Sequence, residues 1–266
     1  MFKKGLLVFI SLVMVISLFG CGSSEEDVSK LEKIKKDGKI VLGTSADYPP
    51  YEFHKEIDGK DKIVGFDIEI AKKIAEDLGV ELEIKDMQFK GLLPALKTDK
   101  VDFVIAGMTP DKERAKEVDF SNIYYNAEHG LVILEKNKDK YKSVEDFKGK
   151  TIGVQKGAIQ ERIAKEQIAD VKLKSLGKVT DLMLQLKKGR IDGVLVEDVV
   201  GSAYVRNNEG LLLTDIVLKD DDGGSAIAIK KGNKELVEKI NKTIKALKEE
   251  KLIKEFAIKA NEMLQE

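Results

Sequence analysis

The chain has one cysteine, Cys21, among its 266 residues. No intrachain disulfide is therefore available, and the fold must be held by a packed core, for which this length leaves ample room. There are two histidines, His54 and His129, far apart in sequence. Neither stands in a metal-ligand spacing or in a nucleophile triad pattern, so no metal site and no catalytic constellation is expected. A phosphate-binding loop and a dinucleotide fingerprint are both missing, and no cofactor is expected. No charge of one sign dominates. Basic residues number 46 and acidic residues 47, a formal net charge of -1. That balance is a poor match to a nucleic-acid backbone, so no nucleic-acid partner is expected. The uncharged apolar run at 6–19 is shorter than the roughly 20 residues that span a bilayer.

That run has the length of a signal-peptide core, and Lys3 and Lys4 supply the positive start before it. It stops at Leu18-Phe19-Gly20-Cys21, which resembles the cleavage motif of a bacterial lipoprotein, with Phe19 bulkier than the usual small residue. The resemblance implies cleavage before Cys21 and a diacylglycerol thioether on its sulfur. The other reading is a plain signal or an uncleaved anchor, with Cys21 incidental. Residues 21–30 are small and charged and read as a flexible tether.

From Lys39 the pattern alternates strand and helix. Ile40-Val41-Leu42 reads as a buried strand. Asp67 is placed to cap a helix whose apolar face is Ile70, Ala71, Ile74, Ala75 and Leu78, with Gly79 as its left-handed end. Val80, Leu82 and Ile84 alternate as a strand. A helix over 91–98, with Pro94 in its first turn, leads into an apolar strand at 101–106. The rhythm restarts after Gly130. Strands are expected at 131–134, 151–154, 171–173, 191–196 and 226–229, and helices at 158–169, 179–188 and 233–264. Leu96-Lys97-Thr98-Asp99-Lys100-Val101-Asp102 is echoed by Leu186-Lys187-Lys188-Gly189-Arg190-Ile191-Asp192. Two similar, mostly parallel sheets flanked by helices follow from this pattern.

In such sheets ligands sit beyond the carboxyl ends of the strands. After Leu42 comes Gly43-Thr44-Ser45-Ala46-Asp47-Tyr48-Pro49-Pro50-Tyr51-Glu52-Phe53. After Ala106 come Gly107, Thr109 and, further on, Arg114, whose planar fork suits a carboxylate. After Val154 comes Gln155-Lys156-Gly157-Ala158, opening a helix whose first amides favour an anion. After Val196 come Glu197 and Asp198, which suit an ammonium. The set fits a zwitterion. Each element also has a plainer reading. Arg114 sits among Lys112, Glu113 and Lys116, as on a solvated helix face. Glu197 or Asp198 suits a helix cap. Tyr48, Tyr51 and Phe89 suit a core.

At these loops the chain resembles the bacterial extracellular solute-binding proteins of family 3, the polar amino acid receptors of ABC importers. The stretches that carry the resemblance include Gly43 through Phe53, Val64-Gly65-Phe66-Asp67-Ile68-Glu69-Ile70 and Phe89-Lys90-Gly91-Leu92-Leu93-Pro94-Ala95-Leu96. Glu113-Arg114-Ala115-Lys116-Glu117-Val118-Asp119-Phe120-Ser121 and Gly189-Arg190-Ile191-Asp192-Gly193 continue it, over about 31–264 in all. It implies a type II periplasmic-binding-protein-like α/β fold of two lobes joined by a two-strand hinge. The leader would be 1–20, the tether 21–30, lobe 1 31–127 with 224–266, and lobe 2 128–223. Arg114 would bind the ligand α-carboxylate, helped by Thr109 and the backbone of Ala106, Gly107 and Met108. Glu197 would bind the α-ammonium. Tyr48 and Phe89 would sandwich the side chain, Ser45 would touch it, and Gln155, Gly157 and Ala158 would line the second lobe. Ala158 departs from the Ser or Thr common in relatives, which removes a hydroxyl contact. The implied function is a membrane-anchored, monomeric receptor that passes a polar L-amino acid, with a lean toward a basic one, to an ABC permease. Asp47, Glu52 and Ser45 suit a cationic or an amide side chain. The alternative is an enzyme resembling cyclohexadienyl dehydratases on the same fold.

Overall fold

The computed structural model describes residues 29–220 and 223–265. The expected leader, the lipidated Cys21 and all but the last two tether positions lie outside the described residues. Those two positions are structured. Ser29 caps α1 (Lys30–Asp37) in a reciprocal capping box with Glu32, and the helix buries Leu31 and Ile34.

The first lobe is built on β1 (Lys39–Thr44). The next segment, expected as a loop, forms a small antiparallel sheet of β2 (Asp47–Tyr48), β3 (Glu52–Ile57) and β4 (Lys60–Val64). Helix α2 (Phe66–Leu78) follows and buries the predicted apolar face. Its first amides are not capped by Asp67. Phe66 N and Asp67 N donate to the carbonyls of Pro50 and Tyr51, at 3.1 and 3.0 Å. That frees the Asp67 side chain for another use. Then come β5 (Glu81–Asp86), α3 (Leu92–Lys97), β6 (Phe103–Val104), α4 (Lys112–Glu117) and β7 (Val118–Phe120). The apolar run at 101–106 is explained by burial on both sheet faces. Phe103 and Ile105 join one core cluster, and Val104 and Ala106 another.

The chain then crosses to the second lobe, which holds β8 (His129–Leu134), β9 (Thr151–Gln155), α5 (Gln160–Gln167) and β10 (Lys172–Leu176). α6 (Val179–Lys187), β11 (Gly193–Glu197), α7 (Asp198–Arg206) and β12 (Leu211–Leu218) complete it. It crosses back to β13 (Ala228–Lys230), α8 (Lys234–Glu249) and α9 (Leu252–Met263). The expected helix over 233–264 is therefore two, parted at Lys251, whose φ is 60°. β12 escaped the sequence reading because Thr214 and Asp215 interrupt its alternation, and a register shift lies between Leu213 and Val217.

The sheet orders are β5-β1-β6-β13-β7 and β10-β9-β11-β8-β12. In each, the fourth strand runs against its neighbours, and in each that strand is the first after a crossing. The sequence echo has a physical basis here. Asp102 accepts from Val41 N at 2.8 Å, and Asp192 accepts from Thr151 N at 3.0 Å. The equivalent acid in each lobe thus binds an amide near the start of the sheet's central parallel strand.

Gly65, with φ 132°, fits where no side chain does. An added Cβ would lie 2.1 Å from the Tyr51 carbonyl oxygen that receives Asp67 N. Gly65→Ala is expected to destabilise the protein by about 1–3 kcal/mol or more, read as a lower urea midpoint. An unchanged midpoint would show that this turn is not under the steric constraint described.

Candidate functional site

The carboxyl ends of β1, β6, β9 and β11 converge between the lobes. From the first lobe, the turn after β6 brings Ala106, Gly107 and Thr109 to the cleft. Gly107 lies against Tyr48, with an added Cβ 3.2 Å from that ring. Arg114 reaches the same place from α4. Its side chain is 11% exposed, while Glu113 and Lys116 beside it are 81% and 67% exposed. The solvated-face reading therefore fails for Arg114. Its Nη1 donates to Thr109 O at 2.7 Å, and its Nε lies 3.4 Å from an Asp111 carboxylate oxygen. The guanidinium carbon sits 5.4 Å from the Phe89 ring centre, a cation–π contact. Burial lowers the Arg114 pKa, and Asp111 opposes that shift.

The second lobe meets this group directly. Arg114 Nη2 donates to Gly157 O at 3.0 Å across the cleft. Gly157, with φ 82°, also packs close to Lys90 of the first lobe. Ala158 and Gln155 line the same cavity. The Ala158 amide is committed to Gln155 O at 3.1 Å, so it is not free for an anion in this form. The cavity is small, about 10 Å³, roughly the space of one water.

Four predicted residues do not line this cavity: Gly157, which meets Arg114 through its carbonyl, and Ser45, Met108 and Glu197. Ser45 turns to Asp47, its Oγ 3.0 Å from Asp47 Oδ1, and lines a neighbouring cavity of about 250 Å³ with Asp47, Asp86, Gln88 and Lys178. The Met108 side chain is buried in the core, and its backbone carbonyl accepts from Ala226 N at 2.9 Å, as part of the return to β13. Glu197 lies behind the tyrosines: Tyr51 OH donates to its carboxylate, and its amide donates to Tyr48 OH at 3.3 Å. Glu197 does stand at the N-cap of α7, but its side chain caps nothing. Burial raises its pKa to about 8. Asp198 instead binds the first crossing, where Glu128 N donates to its carboxylate at 3.3 Å. Glu52, read as a ligand acid, is fully buried beside Asp67 and does not line the cavity.

The sequence reading missed Ile159, Gln160 and the role of Asp47. Ile159 and Gln160 line the cavity, and Gln160 Nε2 lies 3.3 Å from Tyr48 OH. They directly follow Ala158, so extending the loop by two residues would have found them. Asp47 accepts from Val179 N at the start of α6 and carries a further contact from Gln155 Nε2 at 3.4 Å. A buried first-lobe carboxylate thus caps a second-lobe helix, a clasp that no local sequence pattern signals. Burial raises the Asp47 pKa, and the Val179 amide opposes this.

Among the described residues no helix is long and apolar enough to cross a membrane. The chain is 41% identical over 252 residues to the arginine-binding extracellular protein ArtP of Bacillus subtilis, covering 93% of each. It is 37% identical to the ABC transporter arginine-binding protein 1 of Escherichia coli, covering 79% of this chain and 85% of that one. Among solved structures it is similar to an amino acid ABC transporter substrate-binding protein from Streptococcus pneumoniae bound to L-arginine. That likeness has a TM-score of 0.86 and 35% identity, covering 88% of this chain and 98% of that one. All three are binding proteins rather than enzymes. Residues 40–260 match the bacterial extracellular solute-binding proteins, family 3, and the chain belongs to that family.

Proposed function

We propose that this protein is the extracytoplasmic receptor of an amino acid ABC importer and that its ligand is arginine. The observation that carries this is a buried guanidinium from one lobe and a buried carboxyl group from the other, both near the converging strand ends. Arg114 offers donors for an α-carboxylate, and Glu197 offers an acid for an α-ammonium. Thr109 and Gly107 flank the carboxylate, and Phe89 and Tyr48 hold the side chain between their rings. A ligand carboxylate is a stronger acceptor for Arg114 than the carbonyls it now meets. An ammonium supplies the charge that keeps Glu197 ionised despite burial. Choice of a cationic side chain is supported by Asp47 and Asp86, two carboxylates against the single Lys178 around the neighbouring cavity. The names of the relatives point the same way.

A cavity of about 10 Å³ admits no amino acid, so the lobes must part. The moving bodies are 31–127 with 224–266, and 128–223. Ligand favours the closed form through its extra contacts there, and the permease reads that shape. The mature protein is a monomer held to the outer face of the membrane by lipid on Cys21. A general-acid role for Glu197 would predict turnover of a prephenate-like acid; the receptor reading predicts none.

Arg114→Ala should weaken arginine binding between about thirty-fold and about several-thousand-fold, since truncating one member of a buried charge pair costs about 2–5 kcal/mol. Glu197→Gln should lose less, because it keeps shape and one acceptor. Asp198→Asn should be nearly silent. Calorimetry giving Arg114→Ala wild-type affinity would remove the carboxylate assignment, and a crippled Asp198→Asn would shift the second-lobe register by one.

Small-angle scattering should give a smaller radius of gyration with saturating arginine for Asp47→Ala, which loses the clasp to α6 and starts more open. Identical profiles with and without ligand would count against hinge closure.

Cys21→Ser should release the protein from membranes or block its processing. An intact mass of membrane-extracted wild-type protein that still includes residues 1–20 would rule out the lipid anchor.

A further inference from the structure

Two acids meet in the core of the first lobe, beneath the turn that carries Gly107. Glu52 in β3 and Asp67 in the first turn of α2 are both fully buried. Asp67 Oδ2 is well used, accepting from Gly107 N at 3.0 Å and from Tyr124 OH at 2.8 Å. Asp67 Oδ1 and both Glu52 oxygens are buried and meet no ordinary donor. The main chain sets the two residues side by side, since Tyr51 O, adjacent to Glu52, accepts from Asp67 N at 3.0 Å and Glu52 Cα lies against Gly65, and each carboxyl group acts on the other as a hydrogen-bond partner. Two adjacent buried anions, one of them with no donor at all, would be among the costliest arrangements a core can hold. A single proton removes most of the difficulty. Carried by Glu52, it is donated to Asp67 Oδ1, and Asp67 remains the anion that its other two donors require.

We propose that Glu52 and Asp67 share one proton at neutral pH, and that this carboxyl–carboxylate pair positions the ligand-binding turn at 106–109. The connections run outward from Asp67. It holds the amide of Gly107, whose φ is 53° and which packs against the Tyr48 ring. Two residues on, the Thr109 carbonyl holds Arg114. The groups facing the pair are Tyr124 from the first crossing, Asp47 from β2 and Glu197 from β11. None of them is a cation that would stabilise a second negative charge.

Burial, with the neighbouring Asp67 charge, holds Glu52 well above its ordinary 4.5, and burial holds Asp67 at about 7 against an ordinary 3.8. Both folded values lie above those of the unfolded chain. Stability from this pair is therefore complete below the ordinary carboxylate range. It is lost as pH rises, through about 7 for Asp67 and beyond for Glu52. The two steps belong to the pair as a unit. Loss of the shared proton leaves two anions in contact, which the turn relieves by moving away.

The test has two arms, because the effect on affinity rests on the arginine-receptor reading whereas the proton does not. Side-chain carboxyl carbon NMR of the ligand-free wild-type protein should show Glu52 at the protonated position near about pH 7, titrating only at higher pH. Both carbons at the ionised position there would overturn the shared proton. In the second arm, L-arginine affinity is measured from about pH 7 to about pH 9. Glu52→Leu should bind weakly throughout. Glu52→Gln, which keeps a donor but cannot ionise, should recover most of that loss. Over the same range wild type should lose about tenfold more affinity than Glu52→Gln, the equivalent of one pKa unit. Equal losses in the two proteins would overturn the positioning role. Absence of arginine binding in wild type at every pH would instead overturn the ligand assignment, with the NMR arm still deciding the proton.

Discussion

A guanidinium buried where two lobes meet cannot shed its charge, so its surroundings have to carry it. Around Arg114 they carry it with the carbonyl dipoles of Thr109 and Gly157, the face of the Phe89 ring and, at the edge, the Asp111 carboxylate. The Gly157 carbonyl belongs to the other lobe, so the cation is one of the groups that draws the lobes together. A carbonyl is only a partial negative charge, and a ligand carboxylate offers a full one with two oxygens. The same cation can thus stabilise contact between the lobes and, more strongly, a ligand that replaces that contact. Gly157 makes the close approach available, because Lys90 leaves little room for a side chain there.

The acidic side of the cleft follows the opposite rule, since carboxyl groups can shed their charge by taking up protons. Glu197, Glu52 and Asp67 are all buried, and burial raises the pKa of each. Tyr51 and Tyr124 supply hydroxyl donors to Glu197 and Asp67, and burial pushes both phenols well above their usual range, so they remain donors. Burial thus favours the neutral acid at these three carboxyl groups, and the hydroxyl donors offset it at Glu197 and Asp67. In the proposed receptor, the fixed positive charge of Arg114 and the adjustable charge of Glu197 would be the complementary halves of a site for a zwitterion.

Much of this was legible in the sequence because it depends on local pattern. The sheets showed as apolar runs, and α2 as a spaced apolar face ending at Gly79. The echo between Asp102 and Asp192 was visible as letters, and its cause is the amide that each acid holds. What stayed hidden depends on partners remote in sequence. Asp67 looks like a helix cap because it opens a helix, yet backbone carbonyls from Pro50 and Tyr51 take that task and the acid binds Gly107 instead. Glu52 looks like a cleft acid because it follows Tyr48 and Tyr51, but it is buried at the start of β3 although His54 and Glu56, which share its strand face, are exposed. Ser45 looks like a ligand contact, and the nearby Asp47 claims its hydroxyl. Asp47 in turn is committed to an amide 132 residues away. The small antiparallel sheet after β1 was obscured by charged residues on its exposed strands.

The arrangement of the crossings ties these groups to movement. The two segments that join the lobes pair with each other, with Ser225 N donating to Tyr125 O at 2.8 Å and Tyr124 N donating to Ser225 O at 2.9 Å. Tyr125 packs its ring against Phe66 and Tyr51, while the adjacent Tyr124 donates its hydroxyl to Asp67. Tyr51 meets Glu197, and Ser225 Oγ lies 3.5 Å from the Tyr51 hydroxyl. The acids under the ligand turn therefore touch the hinge as well. Each lobe is braced internally by its strand-start aspartate and by burial on both sheet faces. In the proposed opening of the lobes, the bending would fall on the paired crossings, beside which Glu197 and Asp67 stand through Tyr51 and Tyr124.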